Sequence, residues 1–267
     1  DGVCKRLVDA GIPFDLEASQ CLYSPRRMSV LLASVAPQQE DRSLERKGPA
    51  VTAAFDSEGA PTRAATGFAQ SVGLSVDQLE RLKTDKGEWL FCRIEQPGKP
   101  LGELLYPILE EALDDLPVPR PMRWSDHEFS FVRPVHWLVV MHGETVLPGT
   151  LFGCSAGRET RGHRILAPGQ HALGHADEYI EFLRQRFVLV DPSERRQRIR
   201  AQAETIGQKG GGSTRLSDEL LGEVNNLVEW PVGVKCAFDP EFLEVPTEAL
   251  IASMEYHQKF FPILDDK

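Results

Sequence analysis

The sequence has little of what usually announces an activity. Its five cysteines, Cys4, Cys21, Cys92, Cys154 and Cys236, are odd in number, widely spread and never paired as CxxC. That spacing argues against a disulfide framework or a zinc ribbon and predicts reduced thiols in a cytoplasmic protein. No apolar run approaches the ~20 residues that a membrane helix needs. A secretory signal pattern is lacking, and the chain opens Asp1-Gly2 without Met, so its natural start is expected upstream. Basic residues are in the minority, 30 Lys+Arg against 40 Asp+Glu, for a net charge of -10. A protein with that balance does not hold nucleic acid by bulk charge, so DNA is not an expected partner and any RNA contact has to come through local basic patches.

Recognisable catalytic motifs are lacking too. The run Gly207–Thr214 (GQKGGGST) has the composition of a phosphate loop, but Lys209 does not stand directly before Ser213 as that chemistry requires. It reads as a flexible break. His171 and His175 stand four apart, a spacing that would put two imidazoles on one helix face. Pro168-Gly169 and Gly174 oppose a helix there, so no metal site is assigned. There is no GxSxG elbow and no cysteine near an evident base. No catalytic residue is assigned.

What the sequence does contain is concentrated in residues 131–164, FVRPVHWLVVMHGETVLPGTLFGCSAGRETRGHR. Val135, Trp137 and Val139 alternate as in a strand. His142-Gly143-Glu144-Thr145 can reverse the chain tightly, because glycine takes positive φ without steric cost. A second strand is expected from Val146 to Phe152. The pattern then breaks into Gly153, Gly157 and Gly162 with Arg158, Arg161, His163 and Arg164. An apolar hairpin thus delivers a glycine-rich cationic loop, a suitable support for donors to an anion.

Taken in order, Val3–Ala10 reads as a helix, Met28–Val35 as a strand with Arg26-Arg27 at its mouth, and Asp41–Lys47 as solvated charge. Short helices are expected at Ala50–Phe55 and Thr62–Val72, and Ser75 with Gln78 forms a capping-box pattern. Glu88–Ile94 reads as a strand and Leu101–Leu113 as an amphipathic helix, ended by Pro117, Pro119 and Pro121. Helices follow at 176–186, 193–206 (started by Asp191-Pro192) and 218–229 (capped by Ser217), with buried Val188–Val190 between the first two. Residues 231–238 read as a strand, and a last helix begins at Pro246 and runs to about Phe261. The helix over 193–206 shows Arg195, Arg196, Arg198 and Arg200 on its polar face. On the last helix, Leu250, Met254, His257 and Phe261 share a side, so His257 points inward while Glu255 and Lys259 form an outward pair. The fold class is α+β: a mixed or antiparallel sheet core with flanking helices. Met28–Val35, Phe131–Met141, Val146–Phe152 and Val232–Phe238 are expected in one sheet, built from residues 1–43 and 123–267. Residues 44–122 form an inserted, mostly helical lobe.

Several segments together resemble the β subunit of bacterial heterotetrameric glycyl-tRNA synthetase. They are Ser24-Pro25-Arg26-Arg27, RKGPAVTAAF at 46–55 with the following EGAPTRAATGFA, KGEWLF at 86–91, Met122-Arg123-Trp124, FVRPVHWLV at 131–139, TRGHR at 160–164, VEWPV at 228–232, and HQKFF at 257–261 with Pro262. The motifs keep the family's order and spread over nearly the whole chain. The resemblance covers the N-terminal portion of that subunit; its opening acidic segment, its HD-like region and its C-terminal anticodon-binding domain have no counterpart in this sequence.

The resemblance implies a fold similar to the B3/B4 domain of phenylalanyl-tRNA synthetase β, and indirect catalysis. The α subunit of the family uses ATP and Mg to activate glycine and transfer it. The β subunit binds and orients tRNA(Gly) and supports the heterotetramer. This chain is then expected to hold no cofactor of its own, and to have the α subunit and tRNA(Gly) as partners. The candidate RNA-binding residues are Arg158, Arg161, His163, Arg164, Arg195, Arg196, Arg26 and Arg27. Two other readings differ in kind. One is a hydrolytic editing module using His163, Glu255 and His257, for which there is little need because glycine is the smallest substrate. The other is a protein-interaction scaffold with no RNA contact.

Overall fold

A computed structural model describes residues 1–85 and 87–265. In chain order the elements are α1 Gly2–Asp9, β1 Asp15–Ser24, β2 Arg27–Ala33, β3 Arg42–Ala50, α2 Val51–Ala54, α3 Arg63–Ser71, β4 Glu80–Thr84, β5 Gly87–Gln96 and α4 Leu101–Asp114. There follow the short strands β6 Leu138–Val139, β7 Met141–His142, β8 Thr145–Val146, β9 Thr150–Leu151, β10 Cys154–Gly157, β11 Glu159–Arg161 and β12 Gln170–Ala172. The chain continues through α5 Tyr179–Arg184, α6 Pro192–Lys209, β13 Ser213–Thr214, α7 Asp218–Asn225, α8 Thr247–Ala252 and β14 Ile263–Leu264. This is an α+β arrangement. Among the described residues no helix is long and apolar enough to cross a membrane.

Contacts divide the chain into two compact units, residues 1–13 with 36–112 and residues 14–35 with 113–267. Residues 1–13, 36–43 and 113–122 therefore fall on the other side of the division from where the sequence reading put them. The smaller unit holds α2, α3 and most of α4 beside a three-stranded antiparallel sheet, β3-β5-β4, that the reading of 44–122 as mostly helical did not include. Strand β3 (RSLERKGPA) is exposed along its charged stretch, which is why it reads as solvated. Its pairing with β5, from Arg42↔Gln96 to Ala50↔Trp89, supplies what its side chains do not advertise. Ala54, Ala65 and Leu90 form this unit's core, with Val51, Phe55, Phe68, Val76 and Leu79 around them. The capping box is present: Gln78 Oε1 accepts from the Ser75 N–H at 2.9 Å.

In the larger unit the four apolar segments do not share one sheet. β1 and β2 form a separate antiparallel pair, β7 and β8 another, and β6-β10-β9 a small mixed sheet. Proline explains part of this correction. Pro134 and Pro148 each remove a ladder donor within the two expected strands, so pairing survives only in two-residue pieces. The tight reversal itself forms at Gly143, φ +58°, between His142 and Thr145. A second two-residue turn, Phe152-Gly153, joins β9 to β10 with φ +51° and +74°. Phe152 tolerates that conformation where its ring packs on Phe131, Phe129 and Trp124, at centroid separations of 4.8, 5.6 and 6.3 Å. Residues 232–238 form no strand and lie exposed, since Val232 and Val234 meet no partner strand among the described residues. The last helix stops at Ala252 and passes into a wider turn over Ser253–His257. His257 is exposed rather than inward. Glu255 and Lys259 do not pair with each other: Glu255 accepts from Arg215 at 2.9 Å, and Lys259 meets Glu223 at 2.6 Å.

The core of the larger unit is Leu22, Leu183, Val188 and Val190, with Leu31, Tyr179 and Ile180 against it. Val188–Val190 is buried as its sequence implies and forms no regular strand; Tyr23 N–H donates to Val190 O at 3.1 Å and Leu189 N–H donates to Glu229 O at 2.9 Å. Helix α6 starts where Asp191-Pro192 predicts: Asp191 Oδ1 accepts from the Ser193 and Glu194 N–H groups at 2.8 and 3.4 Å.

Candidate functional site

One arginine of α6 organises the site. Arg195 has no exposed surface. Its Nε donates to Asn225 O at 3.0 Å, and its Nη1 donates to Tyr23 O at 2.9 Å and Leu189 O at 2.6 Å. Burial pulls its guanidinium below the ordinary arginine value, and the nearby Tyr23, Glu229 and Asp191 oppose that shift. The side chain fastens the end of β1 to the end of α7. The reading of Arg195 as part of a polar face is thus corrected: it shares its side of the helix with buried Ile199 four residues on, and its donors are aimed inward.

That fastening brings the β1–β2 turn, Ser24-Pro25-Arg26-Arg27, against residues 227–230. Arg27 and Glu229 form a buried pair with Nη1 to Oε1 at 2.5 Å, and Ser24 Oγ donates to the same oxygen at 2.7 Å. Arg27 Nη2 donates to Arg161 O at 2.9 Å, so the pair also holds the end of β11. Burial again lowers the Arg27 guanidinium's pKa, while Glu229 counteracts it. Arg26 reaches Glu229 Oε2 at only 3.5 Å. The guanidinium carbons of Arg26, Arg27 and Arg161 stand 6.0, 5.8 and 5.4 Å from the centroid of the Trp137 ring, a shared cation–π platform.

Beyond β11 the chain turns. Gly162 is buried, His163 N–H donates to Arg186 O at 2.9 Å, and Ala167 N–H closes the turn on His163 O at 3.0 Å. His163 Nδ1 accepts from the Ile165 and Leu166 N–H groups at 3.3 and 3.2 Å, which leaves Nε2 to carry the hydrogen of a neutral ring. The turn presents Arg164 and Ile165 to solvent. A Cβ at position 162 would stand 2.5 Å from Ala167 O and 2.9 Å from Ala167 Cβ. Gly162→Ala should therefore cost about 1–3 kcal/mol by overpacking, read as a lower urea midpoint, and should displace the turn that carries His163 and Arg164.

These segments line an open cleft of about 420 Å³. Arg26, Arg133, His163, Arg164 and Glu229 are its charged and hydrogen-bonding lining, and Ile165, Leu227, Val228 and Trp230 its apolar lining. Trp230 is held by Arg198 at 4.0 Å over its ring and by the Phe187 edge at 5.4 Å. Among the described residues, Arg133 and Arg164 make no hydrogen bond or ion pair. The remaining candidates are engaged elsewhere. Arg158 donates to Glu144 O at 3.0 Å and pins its own loop, and Arg196 pairs with Asp218 at 2.9 Å. The structure thus brings Arg26, Arg27, Arg161, His163 and Arg164 together and leaves Arg158 and Arg196 outside the cleft lining. Arg133 and Glu229 were missed by the sequence reading. Both lie inside quoted motifs, FVRPVHWLV and VEWPV, and a charged residue within an apolar motif was the available signal. His171 and His175 are occupied with backbone groups, Ala167 O at 3.4 Å and Asp177 N–H at 3.1 Å.

Comparison with known proteins places the chain in a family of synthetase subunits. The family model described as glycyl-tRNA synthetase beta subunit matches residues 2–267, and the chain belongs to that family. Curated relatives named glycine–tRNA ligase beta subunit are similar along the whole chain. That of Chromohalobacter salexigens is 45% identical over 265 residues, covering 99% of this chain and 38% of the relative. That of Xanthomonas campestris pv. campestris strain B100 is 46% identical over 266 residues, covering 100% of this chain and 38% of the relative. That of Xylella fastidiosa strain M12 is 45% identical over 265 residues, covering 99% and 37%. The chain therefore spans well under half the length of the curated relatives it matches.

Proposed function

We propose that this chain is a tRNA-binding and assembly part of a glycine–tRNA ligase in the cytoplasm, working with an α subunit that carries the ATP- and Mg-dependent chemistry. In this reading the chain is a non-catalytic part of an aminoacyl-tRNA synthetase, and its contribution is to bind and orient tRNA(Gly). The observation that carries the reading is the cleft. On an acidic protein, Arg133 and Arg164, which have no partner among the described residues, line one cleft together with Arg26. Arginine forks match phosphate oxygens through two parallel donors, and a local cluster of this kind is what RNA contact requires when overall charge is unfavourable.

The test is tRNA binding by the full chain across a salt series. Arg133→Ala with Arg164→Ala should weaken tRNA binding and flatten the log–log salt dependence by about one unit per lost phosphate contact, with the melting temperature unchanged. Both side chains are exposed and unpaired, so a structural role would leave the slope as it was. Failure of the parent chain to bind tRNA, or an unaltered slope in the variant, would overturn the RNA reading. Capture of the α subunit by the same chain, with and without tRNA, tests the assembly role.

A further inference from the structure

We infer that the cleft takes one unpaired nucleotide of the bound RNA, with its phosphate on the arginines and a base bearing an exocyclic amine turned toward Glu229. This inference rests on the tRNA-binding reading and names the part of the RNA that occupies the site.

Three features of the cleft point there. It is open to solvent and holds about 420 Å³, room for a single small ligand rather than for a helix. A base stacked and paired in a duplex cannot enter such a space, whereas an unpaired base can be splayed into it. The walls then divide by chemistry. Arg133 and Arg164 offer free forks to a phosphate, while Ile165 and Leu227, 78% and 63% exposed, offer apolar surface beside Val228 and Trp230. A phosphate-tracking groove for duplex RNA needs the charge alone; an apolar wall alongside it suits the face of a base.

The third feature is Glu229. Its side chain is only 6% exposed, yet it lines the cleft. Oε1 is saturated by Arg27 and Ser24, while Oε2 meets only Arg26 at 3.5 Å. Oε2 therefore retains acceptor capacity on a residue that lines an otherwise cationic cleft. A carboxylate accepts from the exocyclic amine of cytosine, adenine or guanine, a group that uracil lacks.

The experiment is competition against labelled tRNA by unstructured ribo-oligomers of equal length, with the full chain at fixed salt. Oligo(C) and oligo(A) should compete about 5-fold or more better than oligo(U), and better than a blunt RNA duplex. Leu227→Ala should reduce competition by oligo(C) several-fold while leaving the salt slope unchanged, because it removes wall and no charge. Arg133→Ala should flatten that slope for oligo(C) and oligo(U) alike. If tRNA binds but the duplex competes as well as oligo(C), or oligo(U) as well as oligo(C), the nucleotide assignment is overturned and the tRNA reading stands. If tRNA itself does not bind, both fall.

Discussion

Arg195→Met should lower the stability of the larger unit by about 3–5 kcal/mol, seen as a shifted midpoint in urea unfolding. The side chain satisfies three backbone carbonyls, those of Tyr23, Leu189 and Asn225, and is fully buried. Methionine fills similar volume but donates nothing. Each buried acceptor left without a partner costs about 1–3 kcal/mol, partly offset by no longer burying a guanidinium. The neighbouring Arg196→Met is the control. Arg196 lies at the surface against exposed Asp218, and its loss should cost no more than about 1 kcal/mol. Two adjacent arginines on one helix would then differ severalfold in cost. Equal and small effects would show that the Arg195 hydrogen bonds contribute little.

The second large effect is expected from Glu229→Gln. It removes the countercharge of Arg27, whose side chain is 3% exposed, and leaves a guanidinium in a site of low polarity. Breaking a buried pair from one side typically costs about 3–5 kcal/mol. Replacing both members, Arg27→Met with Glu229→Leu, should recover much of that, because the desolvation cost of the pair disappears with it. Recovery should stay incomplete, since Arg27 Nη2 also donates to Arg161 O. Denaturant titration of Arg27→Met, of Glu229→Leu and of the double variant yields the coupling directly. A double variant as unstable as Glu229→Gln would mean that holding the end of β11, rather than the charge pair, is the larger contribution of Arg27.

How much of this was legible in the sequence depended on range. Helix α6 was readable at its start because Asp191 and Pro192 act within one turn of themselves. The Ser75–Gln78 cap and the Gly143 reversal were readable for the same reason. The family was legible too, since its motifs are local strings that keep their order. The sheet was not, because Pro134 and Pro148 break strands that composition alone favours. β3 was missed for the opposite reason: paired backbone made a strand of residues whose side chains look solvated. At the site, the cationic turn at 161–164 was found, while its anchor was misassigned. Arg195 looked like its exposed neighbours, and only its spacing from Ile199 separated it from them. The meeting of Arg27 with Glu229 has no local trace at all; it is set by packing between segments far apart in the chain.

That separation has a consequence in time. Arg27 and Glu229 are 202 residues apart. At a synthesis rate of roughly 5–20 residues per second, the β1–β2 turn emerges about 10–40 s before the carboxylate it will meet. For most of that interval Leu22 is also without Val188 and Val190, and Tyr23 O is without Arg195, until those later residues are made. The first hairpin of the larger unit is therefore made early and placed late. Its apolar side is available to chaperones and to other nascent chains for as long as the ribosome takes to reach Val188 and Val190, and a pause just before those residues would prolong that exposure more than a pause after them.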